Sequence, residues 1–399
     1  MMSSLPEQTT PERVGGDTIS IQPGSKTADR VRLFFLDHLR AALTILVVLH
    51  HLAVVYSATS PFYFVEPPAP QDHLYGLLIV FLLLNQAYFM GFFFLISGYF
   101  TPSSFDRKGP GTYYKDRLLR LGIPLLAYVF VLSPIASIGL YQAPTDYAHL
   151  TPPFSWQQIH DLLGVGPLWF AEMLLFFCLG YVIWRWLVPA RVQPVERVSN
   201  PPSYLAVGIF IPVLALASYL IRIVVPMGTT VPIFGFPSFA YFAQYLSFFI
   251  LGIIAFRRNW FQTIPGSMGV VGLVAALVAT IVLGPLALSN GAAFVGHGTW
   301  QSAVYALWDS IFAVGICLAL LTFFRRFLNR QTGFGRFLSR QAFTVYIIHI
   351  PIIVLLALAL HGIHLESLPK FALTALIGVP LCFSLAFLVR KIPFASRVL

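Results

Sequence analysis

The stretch Leu33-Phe-Phe-Leu-Asp37-His-Leu-Arg40-Ala-Ala-Leu-Thr-Ile-Leu-Val-Val-Leu-His50-His51-Leu-Ala-Val-Val-Tyr56 is long and apolar enough to cross a bilayer as one helix. Yet it carries an arginine and an imidazole in its interior. In a helix, the eleven residues from Arg40 to His51 rise by about 16 Å over about three turns, which puts both side chains on nearly one face. An ionisable group at membrane depth is costly unless paired or hydrated, so the pair implies a lined cavity. His50 points about 100° away around the helix and is the weaker candidate.

The rest of the chain has the same character. Of its 399 residues 57% are hydrophobic and only 10% charged, which excludes an ordinary soluble domain. About ten windows of roughly 18 or more apolar residues follow one another between Leu33 and Val389, so the expected fold is all-α, a polytopic membrane helix bundle. With the N-terminus on the cytoplasmic side, all but three of the 25 Lys and Arg residues fall in inner segments. The exceptions are Arg40 inside the first span, and Arg222 and Lys370 at the outer surface. Such one-sidedness predicts that both termini are cytoplasmic and that the chain is a multi-pass protein of the inner (cytoplasmic) cell membrane. The net charge of +10 then reflects orientation and contact with anionic membrane lipid, and a nucleic-acid partner is not expected.

The composition divides the chain into a polar tail at 1–32, expected to be disordered and cytoplasmic, a transmembrane domain at 33–390 and a short cytoplasmic tail at 391–399. Cys178, Cys317 and Cys382 fall inside spans without metal-ligand spacing, so no metal is expected. The outer stretches Ser57–His73 and Gln142–Gly166 carry Asp, Glu and His but no Lys or Arg, which suits a neutral, hydroxyl-rich partner. No internal repeat is visible, which weighs against a secondary transporter.

Counting about 1.5 Å per residue from the nearer span end puts His51, Glu172 and Asp309 in the outer leaflet. A carboxylate at that depth, Glu172 first, can pair with His51, fix its tautomer and raise its basicity, as a general base acting on a hydroxyl requires. The alternative is a purely structural hydrogen bond between helices. Asn85, Gln86 and His349 fall nearer the midplane, with Tyr346 and His349 on one face. In Arg117-Leu-Leu-Arg120 two arginines three apart share a face at the cytoplasmic border, where they can hold a phosphate. Ser97-Gly98-Tyr99 is compatible with close helix packing. Phosphate loops, His-Glu-x-x-His sites and Gly-x-Ser-x-Gly elbows are all missing from the sequence, so any chemistry belongs to the helices.

Taken together, Leu-Asp37-His-Leu-Arg40 followed by His51, Phe-Phe-Leu-Ile-Ser97-Gly98-Tyr99 and Arg117-x-x-Arg120-x-x-x-Pro124 resemble, in order, the signature of the acyltransferase-3 family of integral membrane acyltransferases. Pro167-Leu-Trp169-Phe-Ala-Glu172, Tyr245-Leu-Ser-Phe-Phe-Ile-Leu-Gly252 and Val345-Tyr346-Ile-Ile-His349-x-Pro351 extend the resemblance over roughly Leu33 to Arg390. Within the family the chain resembles the glucan biosynthesis protein C subgroup, for which succinyl transfer to periplasmic glucans is proposed. The resemblance implies transfer of an acetyl, succinyl or similar group from a cytoplasmic acyl-CoA-type co-substrate to a hydroxyl of an extracytoplasmic carbohydrate or glycan, with no bound cofactor. It makes His51 the family's essential histidine and Arg40 its paired arginine. Glu172 completes the catalytic candidates. The substrate-binding candidates are Arg117, Arg120, Ser97, Tyr99, Trp169, Tyr346, His349, Asp309 and Arg222.

A pantetheine arm is about as long as the distance from Arg40 to His51, which fits a donor held by inner arginines. The chain departs from the subgroup at Pro167, where His-Leu-Trp is usual. A glycan or lipid-linked exporter and an amino-sugar N-acyltransferase are the competing readings, and the sequence leaves a homodimer open.

Overall fold

The computed structural model describes residues 33–59, 62–141, 164–188, 200–229, 239–393 and 395–398. Among these there is no strand. Ten helical segments are long and apolar enough to cross a membrane: α1 (Phe34–Ser57), α2 (Tyr75–Lys108), α3 (Pro110–Gly139), α4 (Gly166–Leu187), α5 (Tyr204–Val224), α6 (Phe239–Arg257), α7 (Gly266–Ala287), α8 (Trp300–Phe327), α9 (Gly333–Ala359) and α10 (Ser367–Val389). The all-α multi-pass reading therefore holds. The tail at 1–32 and most of the stretch Gln142–Gly166 lie outside the described residues. In the 391–399 segment a short helix forms at Ala395–Val398.

Burial orders these helices. Within their apolar windows 61% of α1 and of α8 is buried inside the protein, against 17% of α5 and 22% of α7. In a bilayer the exposed apolar faces of α5 and α7, with Val224 80% and Ile281 75% accessible, are the ones that meet lipid. The helix that carries Arg40 and His51 is central, packed on α2, α8, α9 and α10.

Small residues set how closely the helices approach, because lipid tails give apolar side chains no reason to prefer each other. A Cβ on Gly98 would run into the Phe249 carbonyl, and one on Gly252 into the Leu95 carbonyl, so α2 and α6 interlock backbone to backbone. Gly272 and Gly315 join α7 to α8 in the same way.

Helix α3 is not uniformly α-helical. Leu118–Gly122 and Tyr128–Leu132 are π-helical turns, each ending shortly before a proline, Pro124 or Pro134. A proline inside a helix lacks the N–H for the i−4 bond and its ring crowds that carbonyl; widening the preceding turn relieves the crowding. The consequence falls on Arg117-Leu-Leu-Arg120. In a turn wider than the α-helix a three-residue step no longer stacks two side chains. Arg117 is half-buried and lies over the Tyr113 ring at 5.3 Å, whereas Arg120 is exposed. The shared face expected for the two arginines is corrected accordingly.

At one end of the bundle the basic residues are joined by ion pairs and hydrogen bonds. Asp106 accepts from Arg185 at 3.3 Å and Arg257 at 2.6 Å, tying α2 to α4 and α6. At the other end a single carboxylate joins two helix starts: Asp72 Oδ1 accepts the backbone N–H of Leu74 (2.9 Å) and Tyr75 (3.2 Å), and Oδ2 that of Ser367 (2.7 Å). Burial works to raise the Asp72 pKa, but the bonds from Ser367, Leu74 and Tyr75 outweigh it and hold the carboxyl below its ordinary range. Its stabilisation is thus complete above the unfolded-state pKa of about 3.9 and is lost as pH falls through the lower folded-state value. Asp72→Ala is expected to lower the stability at pH 7 by about 1.5–3 kcal/mol, as for loss of hydrogen bonds to a charged group. Thermal melts of the solubilised variant check this.

The two outer cations do not lie on the surface. Lys370 is 1% exposed and pairs with Glu66. Arg222 is fully buried, with Nη2 donating to Asp309 Oδ2 at 2.6 Å and its guanidinium between the rings of Tyr241 and Tyr305 at 4.7 and 5.4 Å. The physical reason is the cost of an unpaired charge at membrane depth, which each cation meets by finding a carboxylate on a neighbouring segment.

Candidate active site

Helix periodicity puts Arg40, Thr44, Val47 and His51 in one stripe along α1. Thr44 Oγ1 donates to the Arg40 carbonyl at 2.9 Å, so the stripe offers few free polar groups between its two ends. Arg40 is solvent-accessible although its neighbours Leu39 and Ala41 are buried. The charges of Asp37 and Arg117 act on it there. Two like charges near one another at the basic end are chemically suited to attract an anion.

At the other end of the stripe His51 Nδ1 lies 2.9 Å from the Val47 carbonyl and 3.2 Å from Nε2 of His349. His349 Nδ1 in turn lies 2.8 Å from the Tyr346 carbonyl. A carbonyl only accepts, so in the neutral rings the proton of each histidine is on Nδ1. His349 donates to Tyr346 O, and its Nε2 lone pair accepts from His51. The His51 N–H is shared between Val47 O and His349, which leaves His51 Nε2 with a lone pair and no proton. That is the tautomer a general base needs.

The support continues outward. His349 is fully buried, and the Tyr346 hydroxyl donates to the carbonyl of Pro167 on α4. Phe62, from the segment after α1, stacks on the His51 ring at 5.6 Å. His50 faces the other way, stacked on Phe89 at 4.9 Å with Asn85 Nδ2 donating to its Nδ1 at 3.0 Å.

The candidate residues therefore separate into groups. Arg40, Arg117 and Asp37 gather at the basic end, while His51, His349 and Tyr346 form one hydrogen-bonded set. The expected pairing of His51 with Glu172 is not found. The nitrogen that would face a carboxylate is bonded to Val47 and His349, and Glu172 is half-buried with Oε2 lacking a hydrogen-bond partner among the described residues. A neutral imidazole satisfies its N–H on a carbonyl or a second imidazole without burying a charge, which a carboxylate at that depth would do. Asp309 belongs to the Arg222 pair instead. Tyr99 stacks on Phe261 at 4.3 Å, and Trp169 packs against Tyr245 and Phe94, so both act in the packed interior. Ser97 is half-buried, and its carbonyl accepts from Thr101.

Sequence reasoning missed the contact between His51 and His349, and its signal was present. Depth counting set them in different layers because it took α9 to begin at Gln341 and to run upright; α9 begins at Gly333, and tilt shifts depth further.

Known proteins resemble the chain as follows. The acyltransferase-3 family model, described as an acyltransferase domain, matches residues 33–389. The chain is 24% identical over 332 residues to the glucans biosynthesis protein C of Salmonella gallinarum, covering 80% of this chain and 82% of that protein. It is also 24% identical over 336 residues to the protein of the same name from Salmonella schwarzengrund, with the same coverage. No solved structure matches the chain.

Proposed function

Because the chain belongs to the acyltransferase-3 family, and is thus a multi-pass membrane acyltransferase, we propose that it carries an acyl group from a phosphate-bearing thioester of the acyl-CoA type at the basic end to a hydroxyl of a glycan at the opposite end. The observation that carries this reading is the His51 tautomer, with Nδ1 held by Val47 and His349 and Nε2 left basic. The glycan acceptor is supported by the name of the relatives and by the acidic, Lys- and Arg-free segment Ser57–His73. The one-sided distribution of Lys and Arg supports a cytoplasmic basic end and an inner-membrane location.

In the proposed reaction His51 Nε2 takes the proton of the acceptor hydroxyl as its oxygen forms a bond to the thioester carbonyl carbon. The resulting tetrahedral oxyanion collapses, the C–S bond breaks, and the proton on His51 leaves with the thiolate as thiol. The acyl ester and the free thiol are the products, and the histidine returns to its starting state. Arg40 begins about 16 Å along the helix from His51, too far for both side chains to meet one carbonyl group. That distance supports Arg40 as a donor-holding residue with Arg117, reached by the pantetheine arm, and not as an oxyanion contact. His349 is a positioning residue. The unpartnered Glu172 oxygen suits a contact with the acceptor.

Steady-state kinetics on purified protein with acyl-CoA and a neutral glucan oligosaccharide test the donor end. Arg117→Ala is expected to raise the donor KM about tenfold or more, from loss of a charge-assisted phosphate contact of about 1.5–3 kcal/mol. Arg120→Ala, at an exposed position within the π-helical turn, is expected to have the smaller effect. Equal KM values for wild type and Arg117→Ala would remove the proposed phosphate site.

A further inference from the structure

A cavity of about 290 Å³ lies apart from the His51 site, at the basic end between α2, α5, α6 and α8. Its lining is apolar and includes Leu95, Val207, Phe210, Phe248, Trp260 and Cys317. Phe248 and Cys317 are buried, whereas Val207 and Phe210 on lipid-facing α5 are half-buried and the lining residue Ala206 is exposed. The floor is thus inside the bundle and the rim on its lipid-facing side. Water finds no polar partners on such walls, and the hydrocarbon of the bilayer is the medium at the rim. The volume is at the lower edge of ligand pockets, about 300–1,000 Å³, so it takes part of one chain and not a whole lipid.

Two cations neighbour the lining residues. Arg325 Nη1 donates to the carbonyl of Phe261 at 3.1 Å and Nη2 to that of Ile264, both lining residues. Arg258 is exposed two residues before Trp260, whose indole N–H donates to Asn200 O at 3.2 Å as an interfacial tryptophan does. Among the described residues no carboxylate pairs with Arg325 or Arg258. We propose that this cavity is a binding site for one acyl chain of an anionic phospholipid, with the headgroup held by Arg325 and Arg258. Phe261, a lining residue, also stacks on Tyr99 of α2 at 4.3 Å.

Native mass spectrometry of the full-length protein, delipidated in mild detergent and titrated with phosphatidylglycerol or phosphatidylcholine, tests the site. One tightly held phosphatidylglycerol is expected, with phosphatidylcholine weaker by about fivefold for each arginine engaged. Ala206→Trp, filling the rim at an exposed position, is expected to remove the tight site while leaving the melting temperature unchanged. Arg325→Gln is expected to keep a bound lipid but reduce the preference for phosphatidylglycerol, and it provides an independent reading if the tryptophan variant fails to fold. Equal binding of the two lipids by the wild type, or full phosphatidylglycerol occupancy in a folded Ala206→Trp variant, would overturn the proposal.

Discussion

His51→Ala is expected to lower acyl-CoA turnover by at least about 10²-fold, the usual contribution of a positioned general base, with helical content and melting temperature close to wild type. The side chain is half-buried, and removing it strands no ionic partner and gives up one hydrogen bond to His349, so the main loss should appear in activity. His349→Ala should cost less. It leaves His51 Nδ1 bonded to Val47 O, so the tautomer survives while the orientation of the ring loosens. Turnover of His51→Ala within a few-fold of wild type would exclude the base role.

The second large effect is on stability. Asp309→Ala is expected to destabilise the protein by about 3–5 kcal/mol, the cost of leaving one charge of a buried pair uncompensated. Arg222 is fully buried between two tyrosine rings, and its only described carboxylate partner is Asp309. The double replacement Arg222→Met with Asp309→Leu should recover much of that loss, because apolar side chains of similar size avoid the desolvation penalty. Melting curves of both variants decide the matter. At a temperature where both remain folded, donor and acceptor KM should equal those of wild type. A KM change without loss of stability would return Arg222 and Asp309 to the substrate site.

These two cases also mark what the sequence could tell. The helices were legible because a span is a one-dimensional signal: a long run of apolar residues bounded by loops that collect Lys and Arg. Arg40 and His51 stood out because ionisable groups inside such a span are rare. Partners were harder. Glu172, Asp309 and His349 are all polar groups on apolar helices; depth left Glu172 and Asp309 able to meet His51 and set His349 in another layer. What decided was lateral packing, namely that α1 lies against α9 and that α5 lies against α8. Depth and charge together do point to the Arg222–Asp309 pair, and the preference for a histidine–carboxylate pair obscured it. Neither could the spacing of Arg117 and Arg120 disclose a π-helical turn, although Pro124 a few residues on was the signal for a break in the helix.

The role of Gly98 shows the reverse case. Small residues in Ser97-Gly98-Tyr99 suggested close packing, and the approach of Gly98 to Phe249 and of Gly252 to Leu95 gives that pattern a physical cause. Two sequence blocks far apart in the chain prove to be the two sides of a single helix crossing. It positions α2, and with it Asn85 beside His50, one residue from the proposed base.

The most direct test of the account is sidedness in sealed vesicles. Inverted inner-membrane vesicles holding a neutral glucan in the lumen, with labelled acyl-CoA supplied only outside, should accumulate acylated glucan in the lumen when they carry the wild-type protein and not when they carry His51→Ala. The basic end, with Arg40 and Arg117, then faces the donor, and His51 serves the opposite compartment. Acylation only when glucan and acyl-CoA share one side of the membrane would contradict the two-ended path.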